Sequence, residues 1–260
     1  MKRPVLTLLA TLLCIVSVIG QIQVEVNKIL KTKNFTAFKK YADNLPSRSK
    51  QISAHWVVLR DLTPDYKEGV FYFEKSIPDK ENTDVSSVYT FRLRLITSEK
   101  KILYYELSEK KNKKIAGHWE PYYETIDKFR NDSIYTIFQR SFQEIFRAEV
   151  NDRELFVDDF VYGLNCGNTG ENPTGRKLIN ELVKYKDKKE LLKWLQSTNT
   201  EKQVYAVDGL YQLKQTGLKL TVQELNMIKF VMGKKGTLYT CSGCIHMRQE
   251  INSVTKHFIF

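Results

Sequence analysis

Apolar residues recur along this chain with two different periods. Val24, Ile29, Leu30, Phe35, Phe38 and Tyr41 fall at helical intervals, which predicts one or two helices ending before Pro46. The period then drops to two. In Val88 to Leu95, Tyr89, Phe91, Leu93 and Leu95 share one face while Thr90, Arg92 and Arg94 share the other, the pattern of a half-buried antiparallel strand. Beyond the polar connection Ser98 to Lys101, Leu103, Tyr105 and Leu107 again share a face, so the pair reads as a hairpin. His55 to Arg60 and Val70 to Lys75 are rich in β-branched and aromatic residues and supply two earlier strands.

From Asp132 the helical period returns. Ile134, Ile137, Phe138, Phe142, Ile145 and Phe146 make one stripe, and Gly163 to Gly175 then interrupts it as a loop or linker. Leu178, Ile179, Leu182 and Val183 begin a helical series. Asp187-Lys-Lys-Glu190, Thr200-Glu-Lys-Gln203 and Thr221-Val-Gln-Glu224 each match a capping box, in which a side-chain oxygen accepts an N–H of the first turn while the acid or amide reaches back. Gly217 and Gly233 stand where left-handed C-terminal caps belong.

These elements predict an α+β fold: an N-terminal helix plus a four-stranded antiparallel sheet, followed by an all-α helical-hairpin block. The expected divisions are a leader over 1–20, a helix-on-sheet layer over 21–125, a long helix and connection over 126–162, and a helical block over 163–260 with a CxxC segment near its end. By topology alone the first layer resembles a cystatin-like helix-on-sheet arrangement. Residues 176–232 resemble helical hairpins of the HEAT or armadillo kind in helix length and spacing, and two such hairpins need support from neighbouring structure.

The leader changes the charge and the compartment. Lys2 and Arg3 precede an apolar run from Val5 to Ile19 that ends at the small Gly20, the pattern of a cleavable export signal, and the run falls short of a bilayer-spanning helix. This resembles an exported bacterial-type protein, periplasmic or secreted, with no transmembrane segment once the signal is removed. The whole chain of 260 residues carries a net charge of +11; without Lys2 and Arg3, 39 basic against 30 acidic residues leave +9. Residues 171–260 hold 15 basic and 8 acidic side chains, so most of the excess lies there. A basic excess points to an anionic partner, and for an exported chain the expected classes are anionic glycan, cell-wall polymer, a membrane surface or a protein, not nucleic acid. Lys184, Lys186, Lys188, Lys189 and Lys193 are the candidate anion-binding residues, and no cofactor is implied.

After the leader three cysteines remain: Cys166, Cys241 and Cys244, an odd number for an oxidising compartment. A structural bridge from Cys166 to Cys241 or Cys244 is one reading, and a local Cys241–Cys244 bridge is another. A redox pair at Cys241 and Cys244 is a third, with a strand over Gly236 to Thr240 before it and a helix over Ile245 to Val254 after it. A zinc site of Cys166, Cys241, Cys244 and His246 has the right ligand types but only one short ligand spacing. Gly170 to Gly175 has phosphate-loop spacing, but Arg176 and Lys177 replace the required Lys and Ser or Thr. Trp119, Tyr122 and Tyr123 around Pro121 are read as core or interface aromatics, with a sugar-stacking platform as the alternative. No catalytic residue is assigned. The reading is therefore of an interaction or structural protein, with a thiol-redox or thiol-regulated protein as the alternative.

Overall fold

Two helices, α1 over 22–31 and α2 over Phe35–Asn44, lead into a five-stranded antiparallel sheet of order β1-β2-β3-β4-β5: Ile52–Asp61, Lys67–Pro78, Ser86–Thr97, Ile102–Ile115 and His118–Arg130. The structure, a computed structural model, describes residues 22–79, 85–157, 160–167, 170–243 and 245–260, so the leader expected over 1–20 lies outside the described residues. Helix α3 (Asp132–Phe146) follows. A three-stranded sheet, β6 (Tyr162–Cys166), β7 (Thr237–Gly243) and β8 (Ile245–Glu250), then brackets four helices: α4 (Thr174–Lys184), α5 (Lys188–Leu195), α6 (Thr200–Gln215) and α7 (Val222–Gly233). A short α8 (Ile251–Thr255) ends the series.

The architecture is α+β, but the four-stranded sheet and the all-α block are both overturned. The missed fifth strand, His118–Arg130, carries Pro121 and no apolar alternation, because its outer half is solvated on both faces and needs no buried side. A bulge between Leu107 and Ser108 shifts the β4–β5 register and further scrambles the period. Of the second sheet only β7 matches an expectation, the strand over Gly236 to Thr240, and β6 and β8 were not expected. Strand β6 is only five residues long and pairs in parallel with β7, whose register partners lie more than seventy positions away. Residues 245–250, expected to be helical, are the solvent-exposed strand β8, and the helix begins only at Ile251.

The chain divides into two compact units, one running up to Val57 and including Phe71–Arg130, the other comprising Val58–Val70 and Asn131–Phe260. In the first, the linker between α1 and α2 is tied to the β3–β4 turn: Phe35 N–H donates to Lys100 O at 2.8 Å and Ile102 N–H to Lys33 O at 2.9 Å. Asn34 caps α2 by accepting from Ala37 N–H, so the helix starts where the turn holds it. This places Phe35 and Phe38 over the sheet, where Phe38 meets Trp56 and Phe71 edge-on and Phe73 stacks on Phe91 at 4.8 Å. Each such fully buried aromatic contributes roughly 1.5–3 kcal/mol.

In the second unit α6 is the central element, buried without interruption from Gln203 to Leu210. Of the three expected capping boxes, Thr221 and Glu224 form a complete one, and Asp187 accepts from Glu190 N–H. Helix α6 is capped by Asn199 instead of Thr200, its side chain accepting from Lys202 N–H. Gly217 adopts the left-handed backbone at φ +95°, whereas Gly233 does not, and α7 leaves through an extended Lys234.

A charge cluster is enclosed beside α6. Arg60 Nε donates to Glu68 at 2.6 Å and its Nη1 to Glu201 at 2.6 Å, with all three side chains at most 2% exposed. Glu68 also accepts from Phe156 N–H and Glu201 from Tyr239 N–H. Burial favours losing the Arg60 proton, but the opposing charges and hydrogen bonds of Glu201 and Glu68 outweigh it and raise the guanidinium pKa. Buried Lys234 donates to Gln203 Oε1 at 2.7 Å. Desolvation, then repulsion from Arg60, pulls its pKa down to about 7. Gly236 makes this packing possible: at φ +106°, a Cβ there would lie 2.4 Å from Arg60 Cβ and 2.5 Å from Leu59 O.

Candidate functional site

The outer halves of β4 and β5 form a two-stranded ribbon. Strand β3 pairs with β4 only between Phe91↔Glu109 and Thr97↔Ile102, whereas β4 and β5 remain paired out to Ile115↔His118. Ala116 and Gly117 close the ribbon with positive φ at both positions (48° and 89°), the requirement of a two-residue hairpin turn whose twist matches its strands. From Lys110 to Pro121 every residue is exposed.

Directly opposed residues of an antiparallel pair share a face, so the register sorts the ribbon's chemistry. Lys110↔Tyr123, Asn112↔Pro121 and Lys114↔Trp119 lie on one face, and over this stretch that face carries no carboxylate. Glu109↔Glu124, Lys111↔Tyr122, Lys113↔Glu120 and Ile115↔His118 lie on the other. There the acids meet bases: Lys111 reaches Glu124 at 2.6 Å and Glu109 at 3.6 Å, and its hydrogen bond to Glu124 followed by the pull of Glu109 raises its pKa. The same face continues down the sheet, where Arg92 stacks over the Tyr123 ring at 3.7 Å, Tyr123 meets Tyr72 edge-on, Tyr72 stacks on His55, and Glu106 stands opposite Arg94. Trp119 at the outer end, opposite Lys114, is 70% exposed and so lies outside the core.

A second recess lies in the other unit. It encloses about 570 Å³ between Tyr162, Arg176, Asn180, Gln212, Gln249 and His257, with Cys241 in its wall. Arg176, two residues into α4, turns inward: its Nη1 donates to Asp208 at 2.6 Å and its Nε to Gly163 O at 3.2 Å. Asp208 also accepts from Tyr162 OH at 3.2 Å and Gln212 Nε2 at 2.9 Å. Burial and the nearby Asp208 charge raise the Tyr162 pKa, and burial pushes Tyr205 up to about 12. With three donors on it, Asp208 is engaged in holding the floor together, and the recess offers hydrogen-bonding walls around a closed ion pair. Arg176, which follows the phosphate-loop spacing, is buried and directs its guanidinium into the interior.

The cysteine candidates resolve in part. Cys166 and Cys241 form a disulfide between the adjacent parallel strands β6 and β7, with Cα atoms 5.6 Å apart. Gly163 permits this closeness, since a Cβ there would stand 2.2 Å from Cys241 O. Cys244 lies outside the described residues. With two of the four expected zinc ligands bonded to each other, their thiolates are not available to a metal, and no metal-holding group occurs among the described residues. His246 sits across the ladder from Cys241 on the solvent-exposed strand β8, with its ring against Tyr239.

The candidate lysines gather at the α4–α5 corner, but not as a free cationic face. Lys188 is committed to Glu224 at 2.8 Å and to Lys219 O, and Lys193 to Glu190 at 2.6 Å. Lys184 lies over the Tyr185 ring, while Lys186 occupies the left-handed turn residue (φ 54°) and Lys189 is exposed on α5. The ribbon lysines drew no attention in the sequence because the run 109–114 looks like a solvated hairpin turn until the pairing register separates its charges. Among the described residues, no helix is long and apolar enough to cross a membrane. No protein family matches the chain, and neither a curated protein nor a solved structure matches it.

Proposed function

We propose that the chain is a binding protein without catalytic activity, which docks on an anionic surface through the β4–β5 ribbon. The observation that carries this reading is the sorting of charge in the ribbon: Lys110 and Lys114 share a carboxylate-free face with Trp119 and Tyr123, while Glu109, Glu120 and Glu124 are confined to the opposite one. Such segregation gives a directed positive field from a chain region that is nearly balanced overall. An extracytoplasmic setting belongs to the same reading and draws support from the Cys166–Cys241 disulfide. The thiol-redox alternative draws less, because Cys241 is both bonded and buried.

The test compares two charge-matched variants, K110E/K114E on the ribbon and K184E/K189E at the α4–α5 corner, on beads coated with phosphatidylglycerol and on beads coated with a sulfated polysaccharide. Retention of the wild type falls as ionic strength rises from 50 to 500 mM (about 14 to 4 Å of screening length). Only K110E/K114E abolishes it. Equal loss in both variants would mean that net charge alone drives binding, and salt-independent retention would remove the electrostatic basis altogether.

A further inference from the structure

Resting on the ribbon reading, we infer that the partner is an anionic lipid bilayer and that the ribbon's tip enters its headgroup region. The tip sequence Ile115-Ala116-Gly117-His118-Trp119 contains no carboxylate, lysine or arginine. Its two large apolar side chains are exposed, Ile115 by 40% and Trp119 by 70%. The register puts them on opposite faces: Ile115 pairs with His118, and Trp119 pairs with Lys114 on the other side. A rigid or flexible polyanion laid against one face covers one of them and leaves the other in water. A medium that surrounds the tip covers both.

The flanking residues have the matching arrangement. Lys113 and Lys114 immediately precede the apolar tip, and Lys110 and Lys111 follow one turn of the pleat further back. With about 3.3 Å of rise per residue, this sets a lysine collar roughly 7–20 Å behind Ala116, in which Glu120 stands opposite Lys113 and Glu109 and Glu124 engage Lys111, all on the Ile115 face. Lysine stems are long enough to lie along apolar surface while their ammonium groups reach phosphate. Trp119 contributes the amphipathic ring that favours the water–lipid boundary, and Tyr122 and Tyr123 stand where the ribbon leaves it. An apolar apex comes first, and behind it lysines and aromatics stand at the same levels, Lys114 opposite Trp119 and Lys111 opposite Tyr122, which matches the passage from the acyl boundary into the glycerol and phosphate region of a bilayer.

The experiment uses the full chain with vesicles of phosphatidylglycerol and phosphatidylcholine, and with the sulfated polysaccharide as the soluble comparison. Cosedimentation is expected only with the anionic vesicles, and Lys110 or Lys114 converted to glutamine lowers partitioning roughly fivefold, whereas Lys111→Gln lowers it less, because Lys111 is already paired with Glu124. Tryptophan emission shifts to the blue on binding and is quenched by brominated acyl chains. Both effects vanish in W119F, which keeps Trp56 and Trp194 as internal controls. I115N, on the opposite face, weakens vesicle binding roughly tenfold while leaving retention on the polysaccharide unchanged. Unaltered far-UV circular dichroism and melting of these variants show that the fold is kept, since the substituted side chains are exposed. Vesicle binding with no shift and no quenching overturns the insertion and leaves surface docking standing. Equal affinity for the polysaccharide assigns the ribbon to a glycan instead. Failure to bind any anionic surface removes both readings.

Discussion

Replacing Arg60 by methionine tests whether the buried charge cluster is one coupled network. The guanidinium neutralises two carboxylates at once, Glu68 and Glu201, each 2.6 Å away and at most 2% exposed. Methionine fills much of the volume but leaves two buried anions facing each other. Losing one partner from a buried pair costs about 3–5 kcal/mol, and here two pairs are lost, so about 5 kcal/mol is the expected destabilisation. At roughly 2–4 °C per kcal/mol for a body of this size, the melting temperature falls by about 10–20 °C. Guanidinium titration followed by near-UV circular dichroism reads the free energy directly. The companion variant R60M/E68Q/E201Q carries no buried charge from the triad and keeps acceptor oxygens for the N–H groups of Phe156 and Tyr239, so it recovers about 2 kcal/mol or more. The coupling argument is falsified if R60M costs under about 1 kcal/mol or if the triple variant is no more stable than the single one.

Three further outcomes follow from the same structure. Lys234 has a folded pKa of about 7 against an ordinary 10.5; the unfolded chain therefore holds the extra proton between these values, and stability rises with pH across that window at about 1.4 kcal/mol per pH unit. K234M flattens the profile between pH 7 and 10, as measured by urea midpoints, and an unchanged slope assigns it to other groups. Reducing the Cys166–Cys241 bridge, which spans 75 residues, lowers stability by roughly 4 kcal/mol on loop-closure grounds, visible as a lower melting temperature in dithiothreitol that C166S/C241S reproduces without reductant. G236A, which forces a Cβ against Arg60 at a positive φ, destabilises by more than about 2 kcal/mol; a melting temperature within 2 °C of wild type contradicts the close packing.

Local periodicity made the first four strands legible because each has one face in the core: Phe91, Leu93 and Leu95 are buried while Arg92 and Arg94 are only partly covered. Helix starts at Asp187 and Thr221 were equally readable, since a cap is a contact between residues three apart. Strand β5 was not, because a ribbon wet on both faces has no apolar period to show. Strand β6 was hidden because its pairing is long-range, and β8 because every residue of it is exposed and it shows no apolar period. The same logic governs the site. The lysines at 184–193 were conspicuous as a count, yet two of them are spent on Glu224 and Glu190. Lys110 and Lys114 stood in a stretch with nearly as many acids in view, and only the register of β4 against β5 shows that those acids face the other way. Trp119, read with the core or interface aromatics, is exposed and so is not a core residue, for the same reason that β5 was missed.

The disulfide also gives the second unit a covalent topology. Because Cys166 and Cys241 flank α4, α5, α6 and α7, those four helices form a closed ring in the oxidised chain. A single proteolytic cut anywhere in this ring changes the connectivity but not the mass of the molecule, apart from one added water. The two pieces stay joined until a reductant is added, so under non-reducing conditions a chain nicked between the helices still migrates as one species.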